Sequence, residues 1–194
     1  MRIYKISNEI SKSLVLKNIN DFLEEMDKIE YGWIDNDGAK YYDPNEESNL
    51  NENIWWKTYF VMSPEEILKH KIGTCIDQVI LTQSWFDKEL PSVTFKIIWI
   101  QRYNDNDHMF LIFKLDDEWY WFEHAWGDKK GIHGGFKDIQ DIIDKVVSDN
   151  SDGFNAKIMD SFKYKPNLTA KKFLNMMNYD FSKENWYVKN ENDK

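Results

Sequence analysis

The sequence predicts an α+β domain, and three patterns carry that prediction. Apolar residues recur at helical spacing in the N-terminal part, as at Ile19, Phe22, Leu23, Met26 and Ile29. After Pro91 the period changes to two, across three segments rich in aromatic and β-branched residues: 93–100, 108–114 and 119–124. Before them, Cys75 to Asp87 carries Ile76, Val79, Ile80, Leu81, Trp85 and Phe86 on most of its sides. A helix that is apolar on most sides is central and buried. Helices followed by an antiparallel sheet give an α+β fold, with the helix that starts at the cysteine packed on the sheet.

The elements can be justified in order. The first helix, through Ile19 to Ile29, is expected to stop at Gly32. Asn36-Asp37-Gly38 predicts a turn between two short extended pieces, and Asp43 to Asn53 a polar loop. Ser63-Pro64-Glu65-Glu66 reads as a helix start, with Ser63 as N-cap, Pro64 at the first position and Glu66 closing a capping box. That helix should end before Gly73. In the sheet, Asp116-Asp117 turns the second strand into the third. The residues around His133 read as a glycine-rich loop. Ile139, Ile142, Ile143 and Val146 mark a further helix. Residues 156–162 suggest another strand, residues 169–178 another helix, and Lys189 to Lys194 a frayed end.

With 194 residues, no repeat and no flexible linker, residues 1–194 are expected to form a single domain around one core. The 31 aromatic residues, nine Trp, ten Tyr and twelve Phe, exceed what a core of this size commonly needs, and a groove lined by some of them is expected. The net charge of −9 argues against nucleic acid and against anionic membrane surfaces as partners. A single cysteine permits no intramolecular disulfide, which fits a reducing compartment. Met1 to Ser7 lack the apolar run of a signal peptide, and no stretch is long enough to span a bilayer, so a cytoplasmic location is expected.

Chemistry is concentrated at three positions. Cys75 opens the central helix, where unpaired backbone N–H groups and the helix dipole favour a thiolate. Gly73, two residues earlier, is expected to allow a sharp turn and leave room for a substrate. A nucleophilic cysteine needs a base. Of the four histidines, His108 stands at the start of a strand, beside the polar run Asn104-Asp105-Asn106-Asp107. The base needs a third group to orient it. If Asp116-Asp117 is a two-residue hairpin loop, Leu115 faces Glu118, and Glu123 becomes a diagonal neighbour of His108 on the same face. A three-residue loop would put His124 there instead. The carboxylate is the preferred partner, because it stabilises an imidazolium beside a thiolate.

This order resembles the transglutaminase-like superfamily of papain-related cysteine enzymes. The resemblance runs from Ser63-Pro64-Glu65-Glu66 through Gly73-Thr74-Cys75-Ile76-Asp77 and Asp107-His108-Met109-Phe110-Leu111 to Trp119-Tyr120-Trp121-Phe122-Glu123. Gly131-Ile132-His133 and the helix beyond are similar to the downstream part of bacterial members. Residues 1–60 and 150–194 carry no part of it. The resemblance implies a papain/transglutaminase-like core, with Cys75 as nucleophile, His108 as general base and Glu123 as third member. It implies an oxyanion hole made by the cysteine N–H and an upstream Trp, for which Trp55 and Trp56 are the candidates. It implies a protein or peptide substrate and no cofactor. Glu123 departs from the family's usual Asp at this place. That departure motivates a second reading, a binding module that keeps the fold without the catalysis. A third, a zinc site of Cys75, His108 and His124 with Glu123, has suitable ligand types but no paired spacing.

Overall fold

The computed structural model describes residues 2–42, 52–102, 107–147 and 154–178. The expected loop at 43–51, the run Asn104-Asp105-Asn106 and the C-terminal segment 189–194 lie outside the described residues. The first helix, α1 (Arg2–Met26), starts well before the apolar pattern that revealed it. It ends at Met26, not at Gly32: the N–H groups of Asp27, Lys28 and Ile29 bond back to Glu24, Glu25 and Met26 in tightened turns. Gly32 instead lies inside β1 (Glu30–Ile34), at φ +153°, where a Cβ would stand 2.2 Å from the Tyr41 carbonyl oxygen. β1 pairs antiparallel with β2 (Lys40–Tyr42), and the turn between them is closed by Asp35, whose Oδ1 accepts from Asp37 N–H at 3.0 Å and Ala39 N–H at 2.9 Å.

Residues Glu52 and Asn53, expected as loop, open a short helix, α2 (Glu52–Thr58). Helix α3 (Pro64–His70) has the capping box read from its sequence, with Ser63 N–H donating to Glu66 Oε2 at 2.7 Å and Glu66 N–H donating to Ser63 Oγ at 3.2 Å. Lys71 then reverses the chain in the left-handed region, φ 56°, and delivers β3 (Ile72–Gly73) to β1 as a parallel partner, Tyr31 against Gly73. This third strand of the small sheet, ordered β2-β1-β3, leads directly into α4 (Cys75–Glu89).

The larger sheet is antiparallel throughout. It is made of β4 (Thr94–Arg102), β5 (His108–Leu115), β6 (Glu118–Glu123), β7 (Gly131–Phe136) and β8 (Phe154–Met159), in the order β7-β6-β5-β4-β8. The hairpin between β5 and β6 has two loop residues and pairs Leu115 with Glu118. The expected glycine-rich loop around His133 is strand β7, with His133 opposite Trp121. The last strand runs from Phe154 to Met159, shifted towards the N-terminus of the expected 156–162. Helices α5 (Ile139–Val147) and α6 (Ala170–Met177) match the apolar periodicity.

The two faces of this sheet carry different loads. Leu111, Phe113 and Phe122 pack with Leu81 and Phe86 of α4 and with Ile19 and Met26 of α1. Ile97, Trp99 and Met109 meet Ile76, Val79 and Ile80 of α4 and Phe173 and Leu174 of α6. On the reverse face Ile98, Ile100, Phe110, Ile112 and Trp121 are covered by Ile142, Ile143 and Val146 of α5. Each such side chain contributes about 1.5–3 kcal/mol by leaving water. Cys75 to Thr82 are all buried, so the first two turns of α4 are held between layers and cannot shift without disrupting both.

Candidate active site

Cys75 is the first residue of α4, so its side chain stands at the positive end of a 15-residue helix. The approach to it is held by Asp77. This carboxylate is fully buried, and its Oδ2 accepts from the N–H and hydroxyl of Thr74, each at 2.9 Å. Its Oδ1 accepts from Met62 N–H at 2.9 Å and from the Tyr59 hydroxyl at 3.2 Å. Burial pushes the Asp77 carboxyl up to about 6, and the hydrogen bonds from Met62, Thr74 and Tyr59 hold it from rising further. Burial likewise raises the Tyr59 phenol, with the Asp77 charge beside it adding to the rise. The sequence spacing Thr74-x-x-Asp77 is a capping-box signal, and it was the available clue to this network.

Gly73 does not make a sharp turn. It lies in β3, and a Cβ there would sit 3.0 Å from Asp77 Cβ. Its smallness lets the strand approach the first turn of α4.

His108 opens β5 and is paired with Ile100 of β4. The register Leu111 to Phe122 carries Glu123, the last residue of β6, to the same face as His108. His108 Nε2–H donates to Glu123 Oε2 at 2.6 Å. The same oxygen accepts from Trp121 Nε1–H at 3.2 Å, and Glu123 Oε1 accepts from Trp126 N–H at 2.9 Å. Burial alone would lower the basicity of His108. The charge of Glu123, hydrogen bonds from the imidazole to Cys75 and to Glu123, and the charge of Cys75 outweigh it and raise the imidazole well above its ordinary 6.5, to about 10. With Nε2 committed to Glu123, Nδ1 is the ring nitrogen left for the Cys75 sulfur.

Aromatic groups hold the imidazole from two sides. The Phe110 ring is stacked at 5.6 Å, and the Trp126 ring meets it edge-on at 5.4 Å. The Arg102 guanidinium lies 5.0 Å from the Trp126 ring. Cys75 and His108 are each 6 % exposed and Glu123 is 1 % exposed, so the three groups lie in surroundings with little water.

His124 points to the other face. Its Nδ1–H donates to Gln78 Oε1 at 2.6 Å, and its Nε2 lies 3.4 Å from Asp27 Oδ1 without a hydrogen-bond partner. Burial, and then the nearby Lys130 charge, lower its basicity to about 4. His133 is engaged elsewhere, its Nε2–H donating to the Lys129 carbonyl at 2.6 Å, and His70 ends α3, where its backbone carbonyl accepts from Lys40 Nζ at 2.8 Å. Gln83 ties α4 to residue 162, donating to the Phe162 carbonyl at 3.1 Å and accepting its N–H at 2.7 Å. Trp55 stacks on Tyr59 at 5.0 Å and packs against the cluster that contains Cys75. The Trp56 side chain lies outside the described residues. Among the described residues, no three of the His, Cys, Asp and Glu side chains are grouped to hold a metal ion, and no helix is long and apolar enough to cross a membrane.

Sequence reasoning missed Trp126, which sits in a turn and reaches the site by its backbone N–H and by its ring. Compared with known proteins, the chain matches no family model, no curated protein and no solved structure.

Proposed function

We propose that this chain is a thiol-dependent acyl-transfer enzyme acting on amide bonds of proteins or peptides, with a papain/transglutaminase-like core and the triad Cys75, His108 and Glu123. The observation that supports it most is the buried His108–Glu123 contact at 2.6 Å on an imidazole that also interacts with a cysteine at a helix N-terminus. The rise in His108 basicity favours an imidazolium beside a thiolate, which is the reactive form of such a pair.

In the first step the Cys75 thiolate forms a bond to the amide carbonyl carbon. The negative charge moves onto the carbonyl oxygen, where the Cys75 N–H, left unpaired by the helix start, can receive it. Trp55, packed against the cluster that contains Cys75, is a candidate for a second donor. The carbon–nitrogen bond then breaks, and His108 gives its proton to the leaving amine. In the second step water or an amine attacks the thioester, His108 takes the proton of the attacking group, and the Cys75 thiolate leaves. Glu123 keeps Nε2–H oriented and stabilises the imidazolium in both steps.

A second reading, a binding module without turnover, draws on the 6 % exposure of Cys75 and on the glutamate in place of an aspartate. Acylation by p-nitrophenyl acetate separates the two. An enzyme should release a burst of nitrophenolate and carry one acetyl group on Cys75 by intact mass, with neither in Cys75→Ala and a slowed burst in His108→Ala. Acylation no faster than that of a free-cysteine peptide would favour the binding module.

A further inference from the structure

We propose that Gln78 and His124 are positioning residues for Cys75, joining the short strand β3 that leads into the thiol to the strand end that carries Glu123. The inference rests on the acyl-transfer reading above and adds two residues to it.

The geometry is a continuous relay. Gln78 lies one turn after Cys75 on α4 and is 3 % exposed. Its Nε2–H donates to the Gly73 carbonyl at 2.9 Å. That bond fixes the amide orientation, because a carbonyl only accepts, and so Oε1 must face His124. His124 therefore carries its proton on Nδ1 and donates it at 2.6 Å. His124 directly follows Glu123 in the chain and projects to the opposite side of the strand. The relay thus runs from the residue two before the nucleophile to the residue one after the carboxylate.

Packing makes the relay stiff. Gln78 and His124 line a narrow crevice with Cys75, and its other walls include Val79, Met109 and Phe122. An amide and an imidazole among such groups are costly to bury unless paired, and apolar side chains could fill the same space. What the polar pair adds is direction: one hydrogen bond ties the Gln78 amide to Gly73 of β3, and the other ties it to His124, the residue after β6. Because Nδ1–H is spent on Gln78, the neutral ring has only a bare acceptor at Nε2. The charged groups around the ring are Asp27 at the end of α1, Lys130 before β7 and Glu123 on its own strand, and Asp27 is ion-paired with Lys130.

The test uses the full chain, whose single thiol makes alkylation unambiguous. Iodoacetamide rates are measured from pH 5 to 9 on the wild type, His108→Ala, Gln78→Met, His124→Phe and His124→Asn, with cooperative thermal unfolding confirming that each is folded. Gln78→Met and His124→Phe should lose about tenfold in rate at pH 6, equivalent to moving the profile by one pH unit. His124→Asn, whose amide N–H can stand where Nδ1–H stood, should recover most of the loss. A merely structural pair would lower the melting temperature without moving the pH profile, and that result overturns the proposal. So does a folded His124→Asn as slow as His124→Phe. If His124→Phe does not fold, Gln78→Met decides. When wild type and His108→Ala are indistinguishable, the triad itself has failed. When they differ but Gln78→Met follows the wild type, only the relay has failed.

Discussion

Replacing Glu123 by glutamine keeps the size of the side chain and removes the charge on which His108 depends. The wild-type carboxylate is 1 % exposed and accepts from His108, Trp121 and Trp126. A glutamine can retain the bond from Trp126 N–H through its oxygen, but its own N–H groups then face two donors. Breaking a buried ion pair costs about 3–5 kcal/mol when the surviving charge is trapped. Here the imidazole can shed its proton, so the expected loss is smaller, about 2–3 kcal/mol. The pH dependence is the sharper signature. The folded state holds the His108 proton more tightly than the unfolded chain, with the imidazole raised from 6.5 to about 10. The resulting stabilisation is complete below pH 6.5 and is lost as pH rises through 10. Urea unfolding of wild type and Glu123→Gln should therefore differ most at pH 6 and converge towards pH 10, where an ordinary hydrogen bond of about 1 kcal/mol is left. An equal gap at both pH values, or no gap at pH 6, would refute the ion pair.

Three further outcomes are expected. His124 is neutral in the fold, with its basicity lowered to about 4, whereas the unfolded chain takes up that proton below pH 6.5. Stability present above pH 6.5 should thus be lost as pH falls through 4, by about 2 kcal/mol after a discount for solvent screening, and His124→Gln should lack this loss in acid urea titrations. Asp77→Asn removes the acceptor for both Thr74 bonds while relieving a buried charge, and should cost about 2–3 kcal/mol in chemical denaturation. Gly32→Ala puts a Cβ against the Tyr41 carbonyl at a φ that L residues avoid, and should cost about 3 kcal/mol or more in the same assay.

The parts of the fold that were legible in the sequence are those set by local rules. The capping box at Ser63 and Glu66 is a spacing of two polar residues around a proline, and it forms as written. The contact between His108 and Glu123 followed from one local fact, the length of the turn at Asp116-Asp117. There Asp116 takes φ 55°, which an aspartate tolerates, and the two-residue loop sets every pair along the hairpin. The parts that escaped depend on partners distant in the chain. β7 contains Gly131, Gly134 and Gly135 and lacks strand propensity, yet it is a strand because β6 offers it a ladder. The two residues of β3 pair with Glu30 and Tyr31 of β1, far earlier in the chain, which no local period reveals. The start of α1 is a different case: Ile3, Ile6, Ile10 and Leu14 keep helical spacing, so its full length is legible in the sequence although the expectation named only the stripe from Ile19. At the site, Asp77 was visible as a helix-start carboxylate, but its bonds to Met62 and Tyr59 require the tertiary fold. Trp126 was silent for the same reason: its backbone N–H reaches Glu123 only once the chain has turned after β6.

The most direct test of the central claim is the pH dependence of Cys75 alkylation by iodoacetamide, measured on the wild type and on His108→Ala. An activated pair predicts that the wild-type rate stays high well below pH 8.5, the ordinary range of a free thiol, and that His108→Ala loses this acid-side reactivity. A thiol that reacts only as a free cysteine does, with no response to His108, would contradict it.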